Sequence, residues 1–402
     1  MNTIKKTLWL ALITASLAAC SSDDNSTPTT NLDGKITSLN DPDYDAASLK
    51  GNVEGNITLA AGEYILDGAL IVKSGYTLTI NPGATIKARP GGTDVYLAVE
   101  QGAKIDAEGT SAQPILFTSN SGNPRSGDWG GVLLMGYAPI SGGGTAVTEV
   151  VDFIYGGNNA NDNSGTLKYV TVEYTGARIN GDKEFNGFTF YGVGNGTIVD
   201  NIASMYGDDD AIEFFGGTVE VTNLLVVNAK DDMIDWTQGF QGSIDNAYAI
   251  REFGFNDVTS DPRGIEADGN LDGLSPNQSG QSNPTISNLT IVSNSVVELS
   301  DIVKIRRGSG VTITNALFSL GSNAVAPGDF IDLTDGAGYA ADNLVSISGN
   351  ATGSSLDIND IKYDATETPT DIPAVQGATI NVTAGTTGGA DTTAFDWTGY
   401  SF

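Results

Sequence analysis

The chain has 402 residues, 40% of them hydrophobic, with 19 basic against 49 acidic side chains, a formal net charge of -30, one cysteine and no histidine. That charge repels nucleic acid and anionic membrane surfaces, and leaves cations and neutral sugars as better-matched partners. A lone cysteine forms no disulfide within the chain, and a length beyond what one globular core holds points to a core extended along an axis.

Residues 1–19 hold Lys5 and Lys6, an apolar run and small residues ahead of Cys20, the pattern of a secretory signal peptide. Leu17, Ala18, Ala19 and Cys20 resemble a bacterial lipobox, which implies that Cys20 is acylated and becomes the mature N-terminus. The following SSDDNSTPTT resembles the export signal of lipoproteins displayed on the outer face of an outer membrane. Residues 20–50 are therefore expected to be a lipid-anchored flexible tether. No later apolar run is long enough to span a bilayer, so the N-terminal lipid is the expected membrane contact.

Residues 51–402 read as short strands punctuated by glycine. Alternating apolar residues in 65–88 are interrupted at Gly68, Gly75, Pro82 and Gly83, and 96–119 repeats the scheme; such spacing suits strand corners and excludes long helices. Six later segments superimpose: FNGFTF, DDAIEF, DDMIDW, RGIEAD, DIVKIR and DFIDLT. One register position is apolar throughout, Phe188, Ile212, Ile234, Ile265, Val303 and Ile331, and so is the one two further on. The position between them is Thr189, Glu213, Asp235, Glu266, Lys304 and Asp332. Period-two alternation in stacked segments predicts an all-β solenoid, a right-handed parallel β-helix with one face inward and a charged stripe outward. A second row, Asn201, Asn223, Asn246, Asn288, Asn315 and Asn343, predicts an asparagine ladder at a corner. Insertions at 251–263 and 268–283 flank the RGIEAD segment and should emerge beside the stripe. The aromatic FDWTGYSF is expected to cap the open end or form the last strand.

Adjacent coils of a solenoid lie about 4.8 Å apart, so Glu213, Asp235 and Glu266 should stack as carboxylates, with Asp209 and Asp231 beside them and Lys304 and Arg306 on the next coil. These seven are the candidate catalytic residues. Like charges this close raise one another's pKa unless a cation intervenes. Asp268, Asn270, Asp272 and Gly273 fit the start of a calcium loop, D-x-[DN]-x-[DN]-G. Ser279 stands where the bidentate acid belongs, and Glu266 could complete the shell. Calcium is thus the expected cofactor, with Asp268, Asn270, Asp272 and Glu266 as its ligands. A solvated acidic face and ordinary Asp/Asn/Gly turns account for the same residues without a ligand.

The strings GDWGGVLLMGYAPISGGG, DDDAIEFFGGTVEV and DWTQGF resemble a recurrent signature of bacterial surface lipoproteins with a right-handed parallel β-helix, in the pectin-lyase-like superfamily. GDDD, KDD and KIRR resemble the paired aspartates and basic residue of polygalacturonases, but that family's Asn-Thr-Asp and Gly-His-Gly strings are absent. The resemblance implies a lipid-anchored, cell-surface protein of the outer membrane that binds or adheres to extracellular carbohydrate with calcium. An extracellular polysaccharide lyase or glycoside hydrolase using the acidic stripe is the alternative from the enzyme class, and the residues leave catalysis open. A structural surface protein or an accessory of an outer-membrane transporter is the third reading. The anchor has a direct test. Cys20→Ser should abolish incorporation of labelled fatty acid, and equal labelling of wild type and variant would rule the anchor out.

Overall fold

The computed structural model describes residues 32–180, 183–273, 275, 277–364 and 375–402; the leader, Cys20 and residues 20–31 of the expected tether lie outside the described residues. Parallel strands stack into a right-handed β-helix of three sheets, here A, B and C. The hand is the one that right-twisted strands favour in parallel crossovers. No helix of the described residues is long and apolar enough to cross a membrane.

Sheet A carries the superimposed segments as strands Phe188–Tyr191, Ile212–Phe215, Ile234–Thr237, Arg263–Ala267, Asp301–Lys304 and Asp329–Asp332. Their register is the expected one: Phe188 pairs with Ile212, Ile234 with Ile265, Ile265 with Val303 and Val303 with Ile331. Ile212, Ile234, Ile265, Val303 and Ile331 are all 0% exposed, so each coil seals the core of the next. An aspartate at Ile234 would bury an uncompensated carboxylate in that column, at a cost of several kcal/mol. Trp236 follows the same parity: it is fully buried, and its indole N–H donates to Ser309 Oγ at 3.0 Å.

Sheets B and C share long strands that bend in the middle, such as Ile198–Met205, Glu220–Val227, Ser243–Arg251 and Thr285–Ser293. In these strands and in Val311–Leu320 the bend is a left-handed asparagine, with φ of 54° at Asn201, 57° at Asn223, 61° at Asn246, 56° at Asn288 and 52° at Asn315; in Gly165–Glu173 Tyr169 takes that place with φ of 50°. Asparagine tolerates this region better than other side chains that carry a Cβ. Its amide also links coils: Asn246 Nδ2 donates to Asn223 Oδ1 and Asn315 Nδ2 to Asn288 Oδ1, both at 2.7 Å. Between Asn246 and Asn288 the ladder is relayed differently, since Asn288 donates to Asp245 Oδ1. Asn343 does not belong to it. Val345 pairs with Val311, which places Asn343 before the strand, and a register shift follows Ile313.

Both ends depart from the sequence reading. Lys35–Ile36 pairs with Asn52 and Val53, and Ile36 and Leu49 are buried, so stacking begins within the stretch expected to be tether. The C-terminal aromatics neither plug the end nor form a strand. Residues 385–402 fold back along the outside, where Asp391 exchanges hydrogen bonds with Asn246 and Gly389 N–H donates to Asn315 O at 3.0 Å. Phe395 is buried on an outward apolar patch of sheet C formed by Met205, Leu225, Val227, Ile250 and Val292. The strap hides apolar surface that the outward parity of these strands would otherwise expose.

Candidate functional site

The outer face of sheet A changes character along the axis. In the early coils it is apolar, with Ala98, Leu133, Met135, Tyr191 and Phe215, and an insertion bearing Ile140, Val150, Val151, Phe153 and Tyr155 covers it. Beyond Phe215 the outward side chains are acidic, and a cleft of about 520 Å³ opens there. Its walls are the covering insertion, which contributes Glu149, and the loop at 252–262, which contributes Asp257, Val258, Thr259, Ser260 and Asp261.

Two neighbouring coils approach sheet A through turns of consecutive aspartates, Asp208 to Asp210 and Asp231 with Asp232. Asp210 Oδ1 accepts the Asp232 N–H at 2.9 Å, so the acid of one coil caps the backbone of the next. Asp210, Glu213 and Asp235 each present a carboxylate oxygen within 4.8 Å of the others, and Asp209, Asp210 and Asp231 do the same. Asp209, Asp210, Glu213 and Asp232 are buried. Burial, reinforced by neighbouring carboxylates, holds Asp209, Asp210, Glu213, Asp232 and Asp235 well above the ordinary carboxylate range.

The flanks of the cleft are neutralised. Arg178 meets Asp208 and Asp209 at 3.0 Å each, and Lys230 bridges Asp208 at 2.6 Å and Asp257 at 2.7 Å. Arg263 pairs with Asp261, Glu266 and Asp301, and Arg306 with Glu266 and Asp268. The centre is not. Asp210, Glu213 and Asp235 have no ion pair among the described residues. Asp232 Oδ1, Asp235 Oδ1 and Asn186 Oδ1 are buried without a hydrogen-bond partner among the described residues, while the Asn186 amide donates to Glu213. All three orphaned atoms are acceptors, so the centre of the cleft calls for a cation or a proton donor.

Of the residues singled out from sequence, Asp209, Glu213, Asp231, Asp235, Glu266 and Arg306 line this cleft together. Lys304 turns away to Asp332 at 2.5 Å. There it joins a second buried acidic group, Asp301, Asp329 and Asp332, in which Arg263, Lys304 and Lys362 supply matching charge. The residues of the expected calcium loop, Asp268, Asn270 and Glu266, have protein partners in this structure. Asp268 is held by Arg306 Nε and Arg307 Nη1, both at 2.7 Å, and Glu266 by Arg263 and Arg306. Asn270 is spent on Gln281, the Arg307 carbonyl and the Ser275 N–H. Guanidinium groups occupy the carboxylates that a cation would need; the side chain of Asp272 lies outside the described residues. The sequence reading passed over Asp210 and Asp232, although the doubled aspartates flag them. It also missed Glu149, Arg178, Asn186 and Lys230, which carry no local signal because insertions and neighbouring coils deliver them.

The buried acids make stability depend on pH in a fixed direction. A carboxyl whose folded-state pKa is raised binds its proton more tightly folded than unfolded, so folding is favoured as pH falls toward the unfolded value. Burial pushes Asp301 up to about 6 from an ordinary 3.8, and the cleft acids shift the same way. Asp335, held below its ordinary value chiefly by the Ala337 N–H and Arg307 against the opposing effect of burial, loses its contribution only at lower pH. The melting temperature should therefore rise between pH of about 7 and about 5. The slope should flatten in an Asp210→Asn, Glu213→Gln, Asp235→Asn triple variant. A wild-type melting temperature that falls over that interval would contradict the description of the cleft.

Two comparisons found nothing: no curated protein and no solved structure matches the chain. A family model described as a pectate-lyase-like β-helix domain matches residues 51–398, the span that supplies every lining residue of the cleft. The chain belongs to the pectate-lyase-like β-helix family.

Proposed function

We propose that the protein binds extracellular carbohydrate in the sheet A cleft, with a divalent cation, calcium in the first instance, held by Asp210, Glu213 and Asp235. The observation that carries this reading is the unneutralised centre: three clustered carboxylates flanked by orphaned acceptors, in a cleft where Asp208, Asp209, Asp257, Asp261, Glu266 and Asp268 have cationic partners. An all-oxygen donor set suits a hard cation such as calcium or magnesium. The ion would supply positive charge able to accept sugar oxygens. Asn186 orients Glu213, and the Asp232 N–H orients Asp210. The lipobox-like tetrad ending at Cys20 supports anchorage of this binding face at the outer surface of an outer membrane.

Cleavage of the polymer is the second reading, and one observation favours it. Burial, reinforced by neighbouring carboxylates, pushes the proton affinity of Glu213 and Asp235 well above that of an ordinary carboxylate, the direction a general acid needs. An oxygen of each lies within 4.8 Å of the other, closer than the roughly 6.5–9.5 Å carboxyl separation of inverting glycosidases.

Calorimetry decides the first reading. Calcium at a hundred times its dissociation constant should stabilise the fold by about 2.7 kcal/mol, and a chelator should lower the melting temperature. The Asp210→Asn, Glu213→Gln, Asp235→Asn variant should bind polysaccharide more weakly and ignore calcium, because the amides relieve the repulsion that calcium relieves. Absence of calcium heat, with a melting temperature indifferent to chelator, would sink the metal assignment. A calcium response lost in Asp268→Asn but kept in the triple variant would move the site to the loop. Loss of polymer viscosity under the wild-type protein, absent under the triple variant, would establish the hydrolase or lyase reading instead.

A further inference from the structure

We propose that the glycan accepted by this cleft carries free amino groups, an amino-sugar polymer in its ammonium form and not a polyuronate; the inference rests on the reading of the cleft as a glycan site. Its lining holds thirteen carboxylate side chains against three cationic ones, Arg178, Lys230 and Arg306. One divalent ion at the centre would offset two of those charges and leave the field strongly negative. A sugar carboxylate would then approach through repulsion, whereas an ammonium group would be drawn in.

The basic residues offer a sugar carboxylate no help. Arg178 is engaged by Asp208 and Asp209, Lys230 by Asp208 and Asp257, and Arg306 by Glu266 and Asp268. Recruiting any of them to a uronate would break a partly buried ion pair and strand an acid behind it, an expensive exchange. Unmet hydrogen-bonding capacity points the same way. Asp232 and Asn186 are each 3% exposed, and the oxygen that each leaves without a partner among the described residues is an acceptor, as is Asp235 Oδ1. An ammonium group has three donors and no acceptor, which complements such a surface. Stacking on aromatic rings is not available as the main attraction, because Phe215 and Trp236 are buried. At the mouth, the side chains of Asp257 and Asp261 are 83% and 59% exposed, so the negative field reaches solvent where a polymer would first meet it.

The test is titration calorimetry of the full chain, in calcium, with a glucosamine tetrasaccharide, its fully N-acetylated form and a tetragalacturonate, each at low and high salt. The free-amine oligomer should bind at least tenfold tighter than the N-acetylated one and weaken as salt rises, with the galacturonate weakest. Equal or tighter binding of the neutral or acidic oligomer would overturn the amino-sugar inference while keeping the glycan reading. Binding of none of the three would overturn both. Adsorption to the acidic surface at large is separated by Glu213→Gln with Asp235→Asn, which removes two charges from a net -30. That variant should lose the preference for the amine, and a preference that persists in it would assign the binding to general charge and refute the site.

Discussion

The side-chain columns of this molecule all follow from stacking at one strand spacing. In a parallel solenoid each position of a coil lies about 4.8 Å from its counterpart in the next, so a residue type repeated in sequence becomes a column in space. For the inward column of Ile212, Ile234, Ile265, Val303 and Ile331 this is favourable, since each side chain buries the next. For asparagine at the sheet B to sheet C corner it is favourable again, because the amide both adopts the left-handed bend and bonds along the axis. For carboxylates it is unfavourable. Stacked acids repel, and the chain keeps them at Glu213, Asp235 and Glu266 only with help from other residues.

That help is uneven, and the unevenness sets the centre of the cleft apart from its flanks. Glu266 and the Asp301, Asp329 and Asp332 group receive Arg263, Lys304, Arg306 and Lys362, so these acids belong to closed ion-pair networks. Asp210, Glu213 and Asp235 receive none within the described residues, and they sit where the covering insertion stops and the 252–262 loop begins. Buried charge without a partner is costly, and proteins retain it where a proton or a ligand supplies the missing charge. The raised proton affinity of the cleft acids and their readiness for a cation are therefore one property seen under two conditions.

Much of this was legible in the sequence. Alternation with a fixed register gave the inward and outward columns of sheet A, including the inward parity of Trp236, because period two is enforced by the pleat itself. Asparagines up to Asn315 were legible for the same reason. Asn343 failed because a shared local string, apolar and polar residues around an Asn, does not reveal that this Asn precedes its strand, with Val345 already opposite Val311. The D-x-N-x-D-G string does not reveal that Arg306 and Arg307, one coil away, pair with Asp268. Contacts delivered by insertions, from Glu149 and Arg178, and the C-terminal strap on sheet C have no periodic signature at all. Their partners are set by where a loop lands and not by the repeat.

The central claim is that the uncompensated carboxylates of Asp210, Glu213 and Asp235 form the cation-binding heart of the cleft. Anomalous diffraction from crystals of the protein soaked in a lanthanide that substitutes for calcium tests it most directly. A single strong peak coordinated by those three side chains is the predicted result. A peak at the Asp268 loop, or at the Asp301, Asp329 and Asp332 group with the cleft centre empty, would contradict it.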